Sequence, residues 1–219
     1  MIKTVGKIAD EMGVGAYLVG GPVRDKLLGR ANCDLDFVIE GSGISFAEIL
    51  NKKLKGRLTA YRAFGTATIQ LKGKRVDIVT ARKESYKHPA AYPDVTTGTI
   101  KDDLFRRDFT INAMAMALNK KNFGKLVDFY GGEKDLKRRV IRALHDKSFM
   151  DDPTRIFRAV RFSVRFGFKI EPHTKKLIKE ALLGGFLGEV NKGRIKKEIE
   201  LFLKEKDPGK CLKAFGKLI

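Results

Sequence analysis

The sequence predicts an α+β protein with a mixed, largely antiparallel sheet in residues 1–147 and an all-helical domain in residues 148–219. Strand and helix patterns are mixed in the first part, and three strand-like runs follow one another closely enough to form antiparallel hairpins. In the second part no strand pattern remains, and helical patterns are separated by glycine and proline. A chain of 219 residues is long enough to bury a core in one or two domains.

Local signals place the elements of the first domain. Pro22 suits the first turn of a short helix, and Ser42 suits the N-cap of the helix that follows. In chain order, the predicted elements are a strand at 16–19, a helix at 22–28, a strand at 35–39, a helix at 44–54, strands at 57–62, 66–71 and 75–80, and a helix at 108–118.

The remaining elements are a long loop and four helices. The segment 82–104 contains Pro89 and Pro93 and has no sustained period, which is typical of a functional lid or a disordered loop. The helices of the second domain are predicted at 151–166, 174–183, 194–204 and 208–217.

The chain is strongly basic. Lysine and arginine total 45 against 26 acidic residues, which gives a formal charge of +19 and favours a polyanionic partner, with nucleic acid ahead of a membrane surface. Alternatively, lysine-rich helices keep a protein soluble or mark a thermophile. Because no signal region and no apolar run of 18 residues is found, we expect a soluble, cytoplasmic protein with no membrane association.

Asp34 and Asp36 form the most informative pair in the chain. Side chains two positions apart on a strand share a face, so both carboxylates would offer hard oxygen ligands to Mg²⁺. Asp77 lies in another apolar strand, where an unpaired carboxylate would be costly. If the two strands are neighbours, Asp77 becomes a third metal ligand. Alternatively, it forms a salt bridge with Arg75 or Arg24.

A glycine turn precedes this pair. Gly20 and Gly21 open onto the first predicted helix of the domain, where backbone N–H groups can bind phosphate. The pair Asp34 and Asp36 alone is a weak signal, because a solvated strand end can carry the same residues. Beside a phosphate-binding turn, however, the pair predicts a site of nucleotidyl transfer.

Two further clusters carry arginine and carboxylate groups. Asp108 is expected to be the N-cap of its helix, and Asn112 follows four residues later on the same face, so the two could grip ribose hydroxyls while Arg107 reaches a phosphate. The other cluster has a spacing of three that predicts one polar stripe along a helix. It consists of Asp152, Arg155, Arg158 and Arg161. A surface salt bridge is the ordinary role of such pairs, but four in a row can serve a ligand.

In order and spacing, these three clusters resemble the signature of class II tRNA nucleotidyltransferases, which include bacterial CCA-adding, A-adding and CC-adding enzymes and poly(A) polymerases. The matching runs are Gly20–Asp25 with Asp34–Asp36, then Arg106–Ala113, then Asp152–Arg155 with Arg158. A weaker neck motif is similar at Arg194, Ile195 and Glu198. The resemblance covers residues 15–204.

The resemblance implies a nucleotidyltransferase head, a helical neck that selects the base, and addition of CCA or its terminal A to tRNA 3′ ends from CTP and ATP. It implies that Asp34 and Asp36 hold the catalytic Mg²⁺ ions. The implied nucleotide contacts are Gly21, Arg24 and Arg107 at the triphosphate or ribose, Asp152 and Arg155 at the base, and Arg158 and Arg161 near the phosphates.

An Asp–Arg pair is chemically suited to select C and A. A carboxylate only accepts hydrogen bonds and a guanidinium only donates them. Cytosine and adenine each present an amino donor beside a ring nitrogen, whereas uracil and guanine place a carbonyl where the amine should be. Asp152 and Arg155 can therefore accept C and A and reject U and G without a nucleic-acid template.

The sequence departs from the family pattern at two places. Position 151 is Asp where the family usually has Glu, and the chain stops at Ile219 where relatives continue into tRNA-binding domains. The sequence is therefore expected to be either a truncated form or a minimal enzyme. We expect apolar residues of the last helix to mediate self-association, namely Leu212, Phe215, Leu218 and Ile219.

Several functional alternatives remain open. The sequence around residues 86–95 and 103–113 is most similar to that of A-adding enzymes. The long loop at 82–104 resembles the family's flexible loop and argues mildly against an enzyme that adds CC alone. A poly(A) polymerase-like tailing enzyme and an RNA-binding chain without catalysis are the other possibilities. Transfer to a small molecule fits poorly with a charge of +19.

Overall fold

A computed structural model of the chain describes residues 1–31 and 35–218. The chain divides into two compact units. Unit 1 comprises Met1–Glu84, Val95–Arg107 and Ile111–Glu133, and unit 2 comprises Ser85–Asp94, Asp108–Thr110 and Lys134–Ile219. The predicted catalytic Asp34 and the terminal Ile219 lie outside the described residues. The domain boundary expected between 147 and 148 stays a prediction.

The helices and strands are numbered in chain order. The α-helices are α1 Ile2–Met12, α2 Gly21–Leu27, α3 Gly43–Leu54, α4 Ile100–Phe105, α5 Gly132–Arg138, α6 Ser148–Asp151, α7 Arg155–Phe166, α8 Pro172–Leu183, α9 Lys192–Leu203 and α10 Pro208–Gly216. The strands are β1 Gly15–Val19, β2 Leu35–Glu40, β3 Arg57–Tyr61, β4 Thr66–Leu71, β5 Lys74–Thr80, β6 Arg82–Ser85, β7 Asp94–Thr97, β8 Ala115–Ala117, β9 Leu126–Val127, β10 Val140–Ile141 and β11 Lys169–Ile170.

Unit 1 is built on a seven-stranded sheet with the strand order β3-β4-β5-β2-β1-β8-β9. All neighbours are antiparallel except β2 and β5, which run parallel. This confirms the predicted mixed, largely antiparallel sheet and the hairpins of β3, β4 and β5. Helix α3 packs against β4 and β5, and fully buried Phe37, Phe46 and Ile78 contribute to the core of this unit.

Helix α3 begins where its sequence predicted. The side chain of Ser42 accepts a hydrogen bond from the N–H of Ser45 at 3.2 Å, which satisfies one of the free donors of the first turn. The helix ends at Lys55, whose φ of 53° is left-handed. Lys52 and Lys53 occupy its last turn, where positive charge is favourable.

The prediction of a helix at 108–118 is wrong. Only a short 3₁₀ turn forms there, at Thr110–Asn112, and it is followed by β8. Strand β8 pairs with β1, with Leu18 opposite Met116 and Val19 opposite Ala115. The alanine-rich run has good helix propensity, but its small side chains fit a buried strand next to β1, so tertiary pairing overrides the local preference.

Segment 82–104 is more regular than the predicted loop. Strands β6 and β7 form a two-stranded ribbon, and α4 follows. Thr99 starts α4 with a capping box, in which its side chain and that of Asp102 each bond the other's backbone N–H. Two four-residue strands and a six-residue helix leave little periodicity in the sequence, so the pattern alone favours a loop.

Unit 2 contains a cluster of aromatic side chains. Phe157 of α7 stacks on Phe215 of α10 with ring centroids 4.9 Å apart, and Phe202 of α9 meets Phe157 edge-on at 5.7 Å. Val160 and Cys211 complete the buried part of this cluster. The contacts explain how α7, α9 and α10 are held together.

Three details of unit 2 differ from the sequence prediction. The helix expected at 151–166 is interrupted, because Pro153 disfavours helical geometry at Asp152, which is extended with φ −139°. Lys169–Ile170 forms a two-residue strand parallel to β10, so the region after residue 148 is not wholly helical. Of the apolar residues expected to mediate self-association, Leu212 is exposed, whereas Phe215 in α10 and Leu218 just after it pack on the aromatic cluster. Self-association through α10 stays a prediction.

Within the two described ranges, no helix combines the length and apolarity that a membrane-spanning segment needs.

The aromatic cluster should control the stability of unit 2. Phe202 is 2% exposed, so Phe202→Ala should lower the free energy of unfolding by about 3–5 kcal/mol, because it leaves a cavity against Phe157 and Phe215. Leu183→Ala, at a side chain that is 88% exposed, is the matched control and should change little. Chemical denaturation followed by circular dichroism measures both. Equal effects of the two variants would contradict the assignment.

Candidate functional site

Two carboxylates lie side by side on one face of the sheet in unit 1. The parallel register of β2 and β5 pairs Asp36 with Asp77, and the antiparallel register of β4 and β5 pairs Thr68 with Asp77. Paired residues of neighbouring strands share a face. The Thr68 hydroxyl donates to Asp77 Oδ1 at 2.6 Å. The sequence predicts Asp77 as a metal ligand if its strand neighbours that of Asp36, and β2 and β5 are neighbours.

Asp77 also forms the salt bridge that was the alternative prediction. Arg75 Nε lies 2.8 Å from Asp77 Oδ2, and its hydrogen bond to Asp77 is the main reason why the pKa of Arg75 is raised. The Arg75 side chain is 62% exposed, and exposed pairs of this kind contribute only about 0–1 kcal/mol. A cation that binds Asp77 can therefore displace Arg75 at little cost.

The donor set suits a hard divalent cation. Asp36 and Asp77 supply carboxylate oxygens, the ligands that Mg²⁺ prefers. Among residues 1–31 and 35–218, no group of three His, Cys, Asp or Glu side chains is placed to hold a metal ion. Asp34, the predicted partner of Asp36, is outside these ranges, so the described part contains two of the three predicted ligands.

Gly20 ends β1 close to this acidic pair. Strands β1 and β2 pair Leu18 with Phe37, so the next position of this antiparallel register sets Val19 opposite Asp36. Gly20 follows Val19 directly in the chain. Gly20 has a φ of 68°, and a Cβ there would lie 2.7 Å from Arg107 Nη1. The positive φ favours glycine at this turn, and Arg107 Nη1 lies at the position that a side chain there would take. The predicted Gly20 and Arg107 are brought together by the structure.

Arg24 is buried and paired within unit 1, and its predicted contact with the nucleotide stays a prediction. Its buried guanidinium donates to Asn112 Oδ1 at 2.5 Å and pairs with Asp25 at 2.8 Å. Gly20, Arg24 and Asn112 therefore lie close together, because the backbone carbonyl oxygen of Asn112 lies 3.7 Å from a Cβ placed at Gly20. Arg24 thus fixes the Asn112 side chain, and Gly21 begins α2, the helix that carries Arg24.

One functional group in unit 1 was missed from the sequence. Asp103 is fully buried and accepts hydrogen bonds from Arg106 and Arg107. Arg106 also reaches Glu84 at 3.2 Å, and Glu84 pairs with Arg82 at 2.8 Å. The signal was available, because an Asp followed by Arg at the third and fourth positions can pair along a helix face.

In unit 2, Asp108 is not a helix N-cap, since no α-helix follows it. Its Oδ1 accepts from the N–H of Phe109 at 2.8 Å, and its Oδ2 binds Arg158 at 2.6 Å. The carboxylate raises the pKa of the Arg158 guanidinium. Asp108 and Asn112 belong to different units, so the prediction that they share one helical face is wrong.

The predicted arginine stripe exists on α7 from Arg155 onward. Arg161 is buried, and Glu198 lies 3.7 Å from it and 3.8 Å from Arg158. Burial is the largest influence on Glu198 and raises the pKa of its carboxyl. Arg155 is also buried and donates to Ser148 Oγ at 2.7 Å. The stripe is therefore an internal ion-pair network rather than a solvated face.

Asp152 precedes these arginines and is held by Arg194, a residue of the weaker neck motif. Arg194 Nη2 lies 2.8 Å from Asp152 Oδ1, which also accepts from the backbone N–H of Thr154 at 3.0 Å. Across the described ranges, every hydrogen bond to this carboxylate falls on Oδ1. The other oxygen, Oδ2, is therefore the one that can accept a hydrogen bond from a ligand.

His145 lies beside the same motif. Burial first, and then the positive charge of Arg155, lower its pKa to about 4. Burial raises the pKa of the neighbouring Asp151. The contact of 4.0 Å between His145 and Asp151 is therefore no ion pair at neutral pH, because the imidazole is uncharged.

Comparison with known proteins places these features in a family. The model of the poly(A) polymerase head domain matches residues 16–142, more than half of the chain. The A-adding tRNA nucleotidyltransferase of Geobacter sulfurreducens is 45% identical over 213 residues, which cover 97% of this chain and 24% of the relative. The A-adding enzyme of Aquifex aeolicus is 47% identical over 190 residues, which cover 87% of this chain and 23% of the relative.

Solved structures show the same similarity. An apo CCA-adding enzyme superposes with a TM-score of 0.94 and 48% identity, over 99% of this chain and 51% of the other. A tRNA nucleotidyltransferase complexed with a primer tRNA and an incoming ATP analogue gives a TM-score of 0.89 and 43% identity, over 98% of this chain and 60% of the other. The chain thus spans about a quarter of the two sequence relatives and little more than half of these structures.

His145 should make stability depend on pH. An unfolded chain protonates this imidazole near 6.5, whereas the folded state does so only near 4, so stability should be lost as the pH falls through this window. His145→Gln should reduce the slope of the free energy of unfolding against pH in this window. His88→Gln, at an exposed loop position, is the matched control. Identical slopes for wild type and His145→Gln would contradict the assignment.

Proposed function

The chain belongs to the family of the poly(A) polymerase head domain, and we propose that it transfers nucleotides from nucleoside triphosphates to the 3′ end of tRNA. The two A-adding relatives support ATP as the donor and the terminal A as the product. Addition of C from CTP is the alternative. The chain covers about a quarter of these relatives, so ATP, CTP and tRNA are proposed as its substrates.

The observation that supports the proposal most directly is the register of β2 and β5. It sets Asp36 and Asp77 side by side near the Gly20 turn. Arg107 Nη1 lies at the same turn. Carboxylates for a divalent cation and a guanidinium for a phosphate then lie in one unit, as nucleotidyl transfer requires.

In the proposed reaction, the 3′-oxygen of the RNA forms a bond to the α-phosphorus of the incoming nucleotide, and the bond to the leaving pyrophosphate breaks. We propose that Asp34, Asp36 and Asp77 hold Mg²⁺. When bound, this ion neutralises phosphate charge and favours loss of the proton from an adjacent hydroxyl. Arg107 donates hydrogen bonds to a phosphate oxygen of the nucleotide, and Arg24 keeps Asn112 in place beside it.

Base selection is proposed for unit 2. Asp152 Oδ2 would accept the amino group of adenine or cytosine, while Arg194 and Thr154 fix the carboxylate through Oδ1. Arg155, held by Ser148, would donate to the ring nitrogen. Arg158 and Arg161 pair with Asp108 and Glu198, which holds them on α7, and their position near the phosphates stays a prediction.

Single-nucleotide addition tests the proposed reaction. With Mg²⁺ and labelled ATP, the chain should extend a tRNA that ends in CC by one nucleotide. Asp36→Asn should abolish this product because one of the paired metal-binding carboxylates is lost. Glu11→Gln makes the same chemical change at an exposed position of α1 and should leave the product intact. Gel analysis of tRNAs that end before C, after C and after CC, with each nucleotide supplied alone, measures the outcome.

Each result of this assay has a defined meaning. Extension of the shorter tRNAs with CTP would replace terminal A addition by CCA addition. Long tails would indicate a poly(A) polymerase-like activity. Binding of tRNA without any product would contradict the enzymatic proposal and leave an RNA-binding protein.

Asp152 should control the choice of base. Asp152→Asn replaces an acceptor with a group that also donates, so uracil becomes acceptable, and the preference for ATP over UTP in kcat/KM should fall by about ten-fold or more. Asp146→Asn, at a side chain that is 78% exposed, is the matched control. Preference is measured from competing incorporation of the two nucleotides. An unchanged ratio would contradict the assignment of Asp152.

A further inference from the structure

Asp103 in α4 is a buried carboxylate that accepts hydrogen bonds from two consecutive arginines. Its side chain has no exposed surface, and it receives Arg106 at 2.7 and 2.9 Å on Oδ1 and Arg107 at 2.9 Å on Oδ2. A buried carboxylate is stable only when it is paired in this way. Because it cannot touch a ligand, any effect on one must pass through its partners.

Arg107 has one described anchor, and that anchor is Asp103. Within residues 1–31 and 35–218, Nη2 bonds only to Asp103, and the buried Nε has no partner. Nη1 is the atom that lies 2.7 Å from a Cβ position at Gly20. The guanidinium is thus fixed through Nη2, and Nη1 lies at the glycine turn, where it could donate to an anion.

Asp103 belongs to a wider group of ion pairs. Arg106 also binds Glu84, and Glu84 binds Arg82. Although burial is the largest influence on Asp103 and opposes ionisation, Arg107 and Arg106 outweigh it and hold the pKa of this carboxyl below its usual range. Asp103 is therefore ionised at neutral pH and can hold both guanidinium groups.

We propose that Asp103 is a positioning residue that aims the Arg107 guanidinium across the Gly20 turn at the triphosphate of the incoming nucleotide. This inference rests on the proposed function and extends it to a residue that never contacts the substrate. Its chemistry requires a carboxylate, because an amide at this position would turn an N–H₂ donor toward a guanidinium, which has no acceptor.

The test is a double-mutant cycle with Asp103→Asn and Arg107→Met. The dissociation constant for ATP without tRNA and the KM for ATP are both measured, and thermal unfolding is recorded for every variant. Asp103→Asn should weaken ATP binding by about ten-fold, and Arg107→Met by at least as much. The double variant should bind ATP no more weakly than Arg107→Met alone, because Asp103 acts through Arg107.

Two further variants complete the design. Asp103→Glu keeps the charge but moves the carboxylate by one methylene, so it should retain the thermal unfolding midpoint better than Asp103→Asn and still weaken ATP binding through a displaced Arg107. Glu11→Gln makes the carboxylate-to-amide change on an exposed face of the same unit and should leave ATP binding unchanged.

The opposing results are equally clear. If Asp103→Asn lowers only the thermal unfolding midpoint and ATP binding is unchanged, or if its effect multiplies with that of Arg107→Met, the positioning role is overturned. An Arg107→Met variant with unchanged ATP binding overturns it as well. Failure of the proposed function shows separately, as wild-type protein that binds ATP and adds no nucleotide.

Discussion

The parallel pairing of β2 with β5 is the constraint on which the rest of the site depends. The pair is the single parallel contact in the seven-stranded sheet of the described chain, and its register sets Asp36 directly opposite Asp77. A slip of one residue would turn either carboxylate to the opposite face. The pairing of β2 with β1 then places the Gly20 turn beside Asp36. Arg107 Nη1 lies at this turn.

Within each of the two units, charged side chains are arranged so that many of them hold one another. Asp103 fixes Arg107, Asn112 and Asp25 fix Arg24, Asp108 fixes Arg158, and Arg194 fixes Asp152. Buried ion pairs of this kind contribute little net stability, because both ions lose their water. Their value lies in geometry, since each guanidinium or carboxylate is directed before a ligand arrives.

The sequence was informative where local chemistry decides the structure. The Ser42 cap, the hairpins of β3 to β5 and the acid in the apolar strand β5 all rest on neighbours in sequence, and the structure confirms them. The helix expected at 108–118 failed because strand β8 pairs with β1, about a hundred residues earlier in the chain. Asp103 was missed for a related reason, since its burial depends on the folded unit and not on the local run.

The stacking of Phe157 on Phe215 sets a lower limit on how far the chain can be shortened. Phe215 lies in α10, the last helix, and its ring covers the helix that carries Arg155, Arg158 and Arg161. A fragment that ends before Pro208 would expose Phe157 to water and should make α7, with its arginine side chains, less rigid. The C-terminal helix is thus a structural brace for the arginine-bearing helix and an integral part of any minimal fragment.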